Sequence, residues 1–392
     1  MESLEMVYKQ KNECCGCTAC ENICPKNAIT MQADSEGFLY PVIDQNDCIN
    51  CNLCVNICSF SKKKLNDSNI NILEVYAAKN INDEVRLSSS SGGVFTAISD
   101  YILEKNGIVF GALINEKMEV VHQKVTTKKE RDKLRGSKYV QSNLRGVFRD
   151  VKSLLKDGNT ILFTGTPCQI DGLKGYLKNQ DTSRLLLCDI VCHGVPSPLI
   201  FKEYIDFIQK KTNNTLIDYK CRDKSNGWHI HTEKAIFLNG KEDNTSSFLR
   251  IYKNLFYSHN ILRPACHNCK YTNLNRSSDL TISDFWGIEK SMPDFDDNKG
   301  ISLLLINSEK GRKCFEDIIE NIEYRISNTK DCLQPQLIKP TEASIERENF
   351  WKDYNKFGFK YISNKYGSND FISKVKRKVR KTILCIRKNN VD

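Results

Sequence analysis

Residues 12–28 read NECCGCTACENICPKNA and place five cysteines in one short polar segment. Counted from Cys14 the spacing is C-x2-C-x2-C-x3-C-P, and residues 48–58 repeat it without the final proline. In bacterial two-cluster ferredoxins the first three cysteines of such a run bind one [4Fe–4S] cluster, and the fourth binds the other. The sequence therefore predicts two clusters, the first held by Cys14, Cys17, Cys20 and Cys58, and the second by Cys48, Cys51, Cys54 and Cys24.

A pair of zinc sites is the competing explanation of these cysteines. Zinc ligands commonly come as two separated pairs, and the duplicated run does not divide in that way. Cys15 is left over from the two predicted clusters. Between the runs, the pattern predicts a β-hairpin turning at 34–37. We expect a ferredoxin domain at residues 1–62, followed by a polar linker at 63–73.

The composition limits the class of protein. The 392 residues include 18 cysteines and carry a formal net charge of +10, although the first 60 residues have a net charge of −5. The chain opens without the apolar core of a signal peptide, and clustered thiols in a reducing compartment indicate metal or redox chemistry. No apolar run approaches the roughly 20 residues of a membrane span, and no nucleic-acid-binding signature is present. We expect a cytoplasmic protein that binds no nucleic acid.

After the linker, segments typical of strands alternate with segments typical of helices. One of them, residues 88–107, predicts an amphipathic helix capped by serine. This alternation favours a mixed body, α/β or α+β in class, with some parallel strand pairing. We place the body at residues 74–340, with an N-terminal part at 74–150 and a C-terminal part at 155–310, and interpret 341–392 as a basic appendage.

Four further cysteines stand at predicted turns: Cys168, Cys192, Cys266 and Cys269. Cys168 follows Pro167 at a predicted helix start, where the helix dipole lowers the pKa of a thiol. Four thiolates suit a third metal or cluster site. A Cys-x2-Cys pair alone also suits half of a zinc site, and a free cysteine is commonly a buried apolar residue. The spacing leaves these alternatives open.

Six segments, in order, resemble the motifs of the coenzyme F-420 hydrogenase/dehydrogenase beta-subunit family joined to an N-terminal ferredoxin domain. They are SSSSGGVFTAIS (88–99), RGSKYVQS (135–142), FTGTPCQIDGLKGYL (163–177), CHGVPSP (192–198), CRDKSNGWH (221–229) and RPACHNCKYTNLNRSSDLTISDFWGI (263–288). The resemblance covers roughly residues 1–310. It implies FAD in the body, a third [4Fe–4S] cluster on the four turn cysteines and, in archaeal members, hydride exchange with the deazaflavin F-420.

Three segments are candidates for the flavin site. Their residues are Ser90, Ser91, Gly92 and Gly93, then Gly136, Ser137 and Lys138, and finally Thr164, Gly165 and Thr166. Backbone amides at a helix start or at a strand-to-helix turn suit a phosphate. For the first segment, an ordinary serine cap before a tightly packed helix is the alternative.

The catalytic residues are not identified by the sequence, and the candidates are His193, Lys224 and His229. Arg222 and Trp228, in the same motif as two of them, suit an anionic acceptor or a stacked ring, or else serve packing. Asp284 and Trp286 support the third cluster or the flavin, or belong to the core. His193 adjoins the predicted ligand Cys192 and is a donor to it, a proton carrier, or a structural hydrogen-bond partner.

The chain ends in ISKVKRKVRKTILCIRKN (372–389). Drawn as a helix, this segment places Lys and Arg on one side and five apolar residues on the other: Ile372, Val375, Val379, Ile383 and Ile386. Such a helix suits peripheral contact with an anionic membrane at its inner face, and a solvated basic tail is the alternative.

The leading interpretation is an iron–sulfur flavoprotein oxidoreductase. It takes electrons from reduced ferredoxin or a similar one-electron donor and passes them through FAD to a two-electron acceptor, since a flavin handles both kinds of transfer. The resemblance makes a sugar derivative of polysaccharide biosynthesis one candidate acceptor. The alternatives are oxidoreduction of F-420, a non-catalytic electron-transfer subunit of a larger redox complex, and a structural zinc protein.

Overall fold

The structure, a computed structural model, describes residues 8–62 and 70–367 together with Val375 and Val379. Most of the predicted linker lies outside the described residues, and so do Ile372, Ile383 and Ile386 of the predicted membrane-binding helix. In the described part of the chain, no helix combines the length and the apolar character that crossing a membrane requires.

The structure contains strands and helices throughout these residues. The strands are β1 (Ile29–Ala33), β2 (Leu39–Ile43), β3 (Glu74–Asn80), β4 (Ile108–Ile114), β5 (Val120–Val125), β6 (Ile161–Gly165), β7 (Leu185–Ile190), β8 (Leu216–Asp223), β9 (Thr232–Phe237), β10 (Glu242–Asp243), β11 (Leu280–Asp284), β12 (Ser302–Ile306) and β13 (Ile322–Ile326). The α-helices are α1 (Ala19–Ile23), α2 (Leu53–Ile57), α3 (Ser59–Lys62), α4 (Asp83–Ser88), α5 (Val94–Glu104), α6 (Lys128–Arg131), α7 (Val147–Lys156), α8 (Pro167–Tyr176), α9 (Pro198–Thr212), α10 (Arg250–Tyr257), α11 (Ile288–Ser291), α12 (Glu309–Ile318) and α13 (Arg347–Ile362). Short 3-10 helices lie at Lys11–Glu13, Asp132–Leu134, Ser247–Leu249, Pro264–Asn268, Ile319–Asn321 and Pro335–Leu337, and a π-helical turn lies at Ser363–Gly367.

The ferredoxin domain repeats one local geometry. Each cysteine run leads into a short helix, α1 after Cys17 and α2 after Cys51. Both helices follow a residue in the left-handed conformation, Thr18 with φ 64° and Asn52 with φ 57°. Between the runs, β1 pairs antiparallel with β2, so the predicted hairpin is confirmed. The duplicated cysteine spacing thus corresponds to a duplicated fold.

The body is built on an eight-stranded mixed sheet in the order β13-β3-β12-β11-β7-β6-β4-β5. Strands β4, β6, β7 and β11 pair in parallel, and the other neighbours pair antiparallel. The predicted mixed α/β class with some parallel pairing is therefore confirmed. Because parallel strands end at the same edge, Gly165, Ile190 and Asp284 lie along one carboxyl edge of the sheet, where ligands of such folds bind.

Helices cover both faces of this sheet. Alternate residues of β6 point to opposite sides: Leu162 packs in one core cluster with α5 and α12, whereas Ile161 and Phe163 pack in another with α7 and α8. All three side chains are buried. Such an unbroken apolar run is typical of a strand covered on both faces.

A smaller sheet, β10-β9-β8, packs with α9, α10 and α13 in a separate core cluster. The C-terminal segment contributes five buried residues to this cluster: Phe350, Trp351, Phe359, Ile362 and Tyr366. The interpretation of 341–392 as an appendage therefore needs correction as far as Gly367, because the apolar side chains of α13 and the turn after it complete this core.

Candidate functional site

Cysteines from both runs line one cavity in the ferredoxin domain, which we call the inner site. Its cysteines at the predicted ligand positions are Cys14, Cys17, Cys20 and Cys58, and its space is about 390 Å³ including the open mouth. Three of them belong to the first run, and Cys58 is the fourth cysteine of the second. This is the grouping that the spacing predicts for one cluster.

The other four predicted ligands, Cys24, Cys48, Cys51 and Cys54, form what we call the outer site. Cys51 is exposed and the other three are partly exposed. Burial raises the pKa of Cys54, and negative charge on Cys51 and Cys48 raises it further, so these three thiols are close together. The sulfur of Cys24 accepts a hydrogen bond from the Ala28 amide at 3.3 Å. The outer site is therefore the more exposed of the two, since the inner site has one buried cysteine, Cys20, and no fully exposed one.

A second cavity, which we call the body site, lies where the ferredoxin domain meets the body. The four turn cysteines all line it: Cys168, Cys192, Cys266 and Cys269. Its space is about 530 Å³ including the mouth. Cys15 and Phe60 line both this cavity and the inner site, so the two share a wall.

The body-site cysteines come from three separate loops. Cys168 is the second residue of α8, and a capping box formed by Thr166 and Gln169 fixes the turn after β6. The Thr166 hydroxyl lies 3.2 Å from the sulfur of Cys168. Cys192 follows β7, and the 3-10 helix Pro264–Asn268 carries Cys266 and ends before Cys269. The fold thus joins residues that are about a hundred positions apart in the chain.

Cys15 has a place that the sequence does not predict. It is buried, and its thiol forms hydrogen bonds with Cys168 and Cys17. These bonds raise the pKa of Cys15 and lower the pKa of both partners. The two predicted ligands therefore give up a proton more readily than Cys15 does.

Two of the cysteine sets surround cavities. Among the described residues, no group of three or more His, Cys, Asp or Glu side chains is arranged to hold a single metal ion. Thiols that surround a cavity instead suit a cubane, which places iron and sulfide between them. Burial raises the pKa of Cys266 to about 12, so binding iron there must displace a bound proton.

Two of the three predicted flavin segments lie side by side. The Ser137 amide donates to the Ser90 hydroxyl at 2.7 Å, across 47 residues of chain. The predicted serine cap is wrong: α5 begins only at Val94, after Gly93 with φ +83°, and no side chain caps it. Gly92 packs tightly, since a Cβ there would come within 2.6 Å of the Ser302 amide. Uncapped amides at the start of this helix suit a phosphate.

Other groups in the predicted flavin segments bond within the protein. The Lys138 ammonium donates to the carbonyls of residues 133, 134 and 135, and burial lowers its pKa to about 8. The Thr164 hydroxyl donates to the Phe110 carbonyl at 2.9 Å, and the Thr166 amide donates to Gln169 at 2.9 Å. Thr166 contacts Cys168, so this third segment lies next to the body site.

The three catalytic candidates have different contacts in the structure. Lys224 donates to the carbonyls of Arg86, Ser91 and Lys299, which anchors the 90–93 loop. His229 bonds to Asp296 at 2.7 Å near the surface. His193 lines the body site and lies 3.1 Å from a ring nitrogen of His259, and burial lowers the pKa of His193 to about 4.

A group of aromatic and charged side chains lies beside the 90–93 loop. The Trp228 and Trp286 rings stack at 4.8 Å, and the Arg222 guanidinium lies 5.1 Å from the centre of the Trp286 ring. Asp284 accepts from the Trp228 indole at 2.6 Å. Trp286 is 37% exposed, so part of its ring remains open to contact.

Sequence reasoning missed Arg263 and Gln141. Arg263 is fully buried and lines the body site. Its Nη1 donates to Gln141 at 2.8 Å, and Gln141 in turn donates to the Cys15 carbonyl at 3.0 Å. The available signal was the position of Arg263, three residues before Cys266 in the motif RPACHNC.

The fold and the duplicated cysteine run are those of an iron–sulfur protein, and family models agree with this. The model of the 4Fe-4S dicluster domain matches residues 13–62. The models of the coenzyme F420 hydrogenase/dehydrogenase beta subunit match residues 75–149 with their N-terminal part and 158–331 with their C-terminal part. These last two together cover more than half of the chain. The chain therefore belongs to the coenzyme F420 hydrogenase/dehydrogenase beta-subunit family and is an iron–sulfur oxidoreductase, and the resemblance read from the sequence is confirmed.

Among solved structures, a chain of the F420-reducing [NiFe] hydrogenase complex from Methanosarcina barkeri is similar. The two chains are 14% identical with a TM-score of 0.46, over 77% of this chain and 95% of that one. At this TM-score the likeness supports no argument about function. No curated protein matches the chain.

Proposed function

We propose that the chain passes single electrons from a protein donor to the outer site, then to the inner site and the body site, and finally through FAD to a two-electron acceptor. The observation that carries this proposal is the wall shared by the inner site and the body site, formed by Cys15 and Phe60. Electron transfer slows steeply with distance, so redox groups on either side of one wall exchange electrons readily.

The ligand sets of this proposal follow the cavities. Cys14, Cys17, Cys20 and Cys58 hold the inner cluster. Cys24, Cys48, Cys51 and Cys54 hold the outer cluster. Cys168, Cys192, Cys266 and Cys269 hold a third cluster in the body site. Cys15 is a thiol between the inner and body clusters and ligates neither.

The outer site is the entry point because it meets solvent. Three apolar side chains beside its cysteines are exposed: Ile49 by 56%, Leu53 by 42% and Val55 by 41%. Small apolar surfaces of this kind suit the brief docking of a one-electron carrier, which needs fast release as well as contact. Ferredoxin is the donor of that class that we would test first.

FAD, when bound, supplies the exchange between single electrons and electron pairs. Its phosphates suit the uncapped start of α5 and the neighbouring Gly136–Lys138 turn. In this proposal, Arg222, which pairs with Asp284 at 3.6 Å, and the open part of Trp286 orient an anionic, ring-bearing molecule next to the 90–93 loop. Lys224 fixes the shape of that loop through its three carbonyl contacts.

Coenzyme F420 is the first acceptor to test, because the family carries its name. A sugar derivative remains a prediction of the resemblance. A relay subunit that reduces a partner enzyme and has no acceptor pocket of its own is the remaining alternative.

The test is anaerobic purification followed by measurement of iron, sulfide, zinc and flavin per chain. We expect about twelve irons, from three four-iron clusters, together with one FAD. The protein is then reduced with ferredoxin and offered F420. About eight irons without flavin contradict the body cluster and the FAD site and favour the relay subunit. If the protein contains one FAD per chain but does not turn over F420, other acceptors are tested next.

A further inference from the structure

Arg263 is a fully buried arginine at the junction of the inner site and the body site. Its relative exposure is 0%, and its side chain lines the body-site cavity. On the other side its guanidinium reaches the inner site: Nε donates to the Cys14 carbonyl at 2.7 Å, and Nη2 donates to the Leu39 carbonyl at 2.9 Å. Nη1 donates to Gln141 at 2.8 Å. The guanidinium thus donates to two carbonyls of the ferredoxin domain and to one side chain of the body.

No carboxylate among the described residues forms an ion pair with Arg263, whose partners are carbonyls, one amide and the ring of Tyr40 at 4.2 Å. Arg276 is a useful comparison, because it is just as deeply buried and contacts the Asp189 carboxylate at 2.8 Å. A buried charge without an opposite charge is costly. Arg263 therefore needs a counter-charge that is not a carboxylate.

The sulfur of Cys14 lies 3.6 Å from Nη2 of Arg263. The backbone is shaped for this approach. Gly16 has φ +73°, and a Cβ at that position would come within 2.8 Å of Nη1 of Arg263. The glycine of the CCGC motif thus leaves room for a cation against the loop that carries the inner-site thiolates.

A [4Fe–4S] cluster with four thiolates is an anion, and it gains one further negative charge when it accepts one electron. We propose that Arg263 is the counter-ion of the inner cluster and raises its reduction potential. A nearby positive charge stabilises the reduced cluster more than the oxidised one, and burial leaves little water to screen the effect. The outer cluster lies at the surface, where water screens such charges. The inference needs only the dicluster domain and does not depend on FAD, but Arg263 also borders the body site, so a cluster there would feel the same charge.

The test is a reductive titration with dithionite, followed by electron paramagnetic resonance, on three variants and the wild type. R263Q removes the charge, and we expect the midpoint of the inner cluster to shift to more negative potential, together with that of any cluster in the body site, while the midpoint of the outer cluster stays in place. R263K keeps the positive charge, so we expect its midpoint potential to lie close to that of the wild type. R149Q is the control: it removes bonds from exposed Arg149 to the carbonyls of Glu21 and Asn22 across the same junction, and we expect no shift.

A fourth variant covers the case in which R263Q loses its clusters. Q141E keeps Arg263 and places a carboxylate where Gln141 already accepts its hydrogen bond, so the new ion pair cancels most of the field at the inner cluster. We expect a shift in the same direction as for R263Q. Iron content is measured for every variant. Unchanged midpoints in Q141E, or in an R263Q protein with full iron, overturn the proposal. A wild type without two clusters would instead contradict the family assignment.

Discussion

Glu36, in the turn of the ferredoxin hairpin, accepts two hydrogen bonds from the guanidinium of Arg347, the first residue of α13. The two side chains are only 14% and 18% exposed. Arg347 also donates to the Leu262 carbonyl at 3.1 Å, next to Arg263. The Ser197 hydroxyl donates to the Glu36 carbonyl. The C-terminal segment therefore helps to hold the ferredoxin domain against the body site.

Breaking this ion pair should loosen the junction. We expect E36Q and R347Q each to lower the free energy of unfolding by about 1–3 kcal/mol, the usual range for a hydrogen bond to a charged group that loses its partner. The double variant should cost less than the sum of the two, as measured by denaturant unfolding in a double-mutant cycle. The control is E348Q, which breaks the exposed pair with Lys352 and should change stability by less than about 0.5 kcal/mol. Additive effects of the two substitutions would contradict the coupling.

Replacement of a body-site cysteine should lower the iron content of the protein, whereas replacement of Cys15 should not. We expect C192S to lose about four irons per chain, because a cubane needs all four thiolates, while the dicluster domain keeps its own. C15S should keep all its iron, because Cys15 is a thiol and not a ligand in our assignment. Iron and sulfide analysis of anaerobic protein gives the answer. Loss of iron in C15S together with full iron in C192S would contradict our assignment and make Cys15 the ligand in place of Cys192.

A charge placed on the exposed apolar surface of the outer site should slow electron transfer from the protein donor and no other reduction. We expect I49D and L53D to slow reduction by ferredoxin at least about tenfold, since a charge at the centre of a small docking surface costs contact and desolvation. Reduction by dithionite, which needs no docking surface, should not change. I326D is the control, because Ile326 is 76% exposed on β13 at the far edge of the body sheet. Equal slowing in I326D would show that the effect is unrelated to docking.

The residue patterns between and after the two cysteine runs were sufficient to predict the ferredoxin hairpin and the mixed body, because both follow from local periodicity. The four cysteines that line the body site were singled out by their predicted turn positions, although the spacing left their role open. The grouping of Cys58 with the first run follows from the known geometry of the duplicated motif.

Arg263, Cys15 and α13 were beyond the reach of sequence reasoning for a physical reason. Their roles depend on contacts between segments far apart in the chain: Arg263 with Cys14, Cys15 with Cys168, and Arg347 with Glu36. Nothing in the local pattern around an arginine separates a buried counter-ion from a surface charge. The aromatic and charged residues of α13 likewise indicated an appendage until the fold showed which face is buried.

The contribution of Lys224 to folding stability should depend on pH. Burial lowers its pKa from 10.5 to about 7, so between these values the unfolded chain holds a proton that the folded chain lacks. Stability from this group therefore rises with pH across that window and is lowest below pH 7. We expect the stability of the wild type relative to K224M to increase from pH 7 to about pH 9.5, measured by denaturant unfolding under anaerobic conditions. K224M should retain its iron and lose flavin affinity, because the 90–93 loop loses its anchor. A flat difference across pH, with flavin bound normally and turnover abolished, would instead make Lys224 a catalytic group.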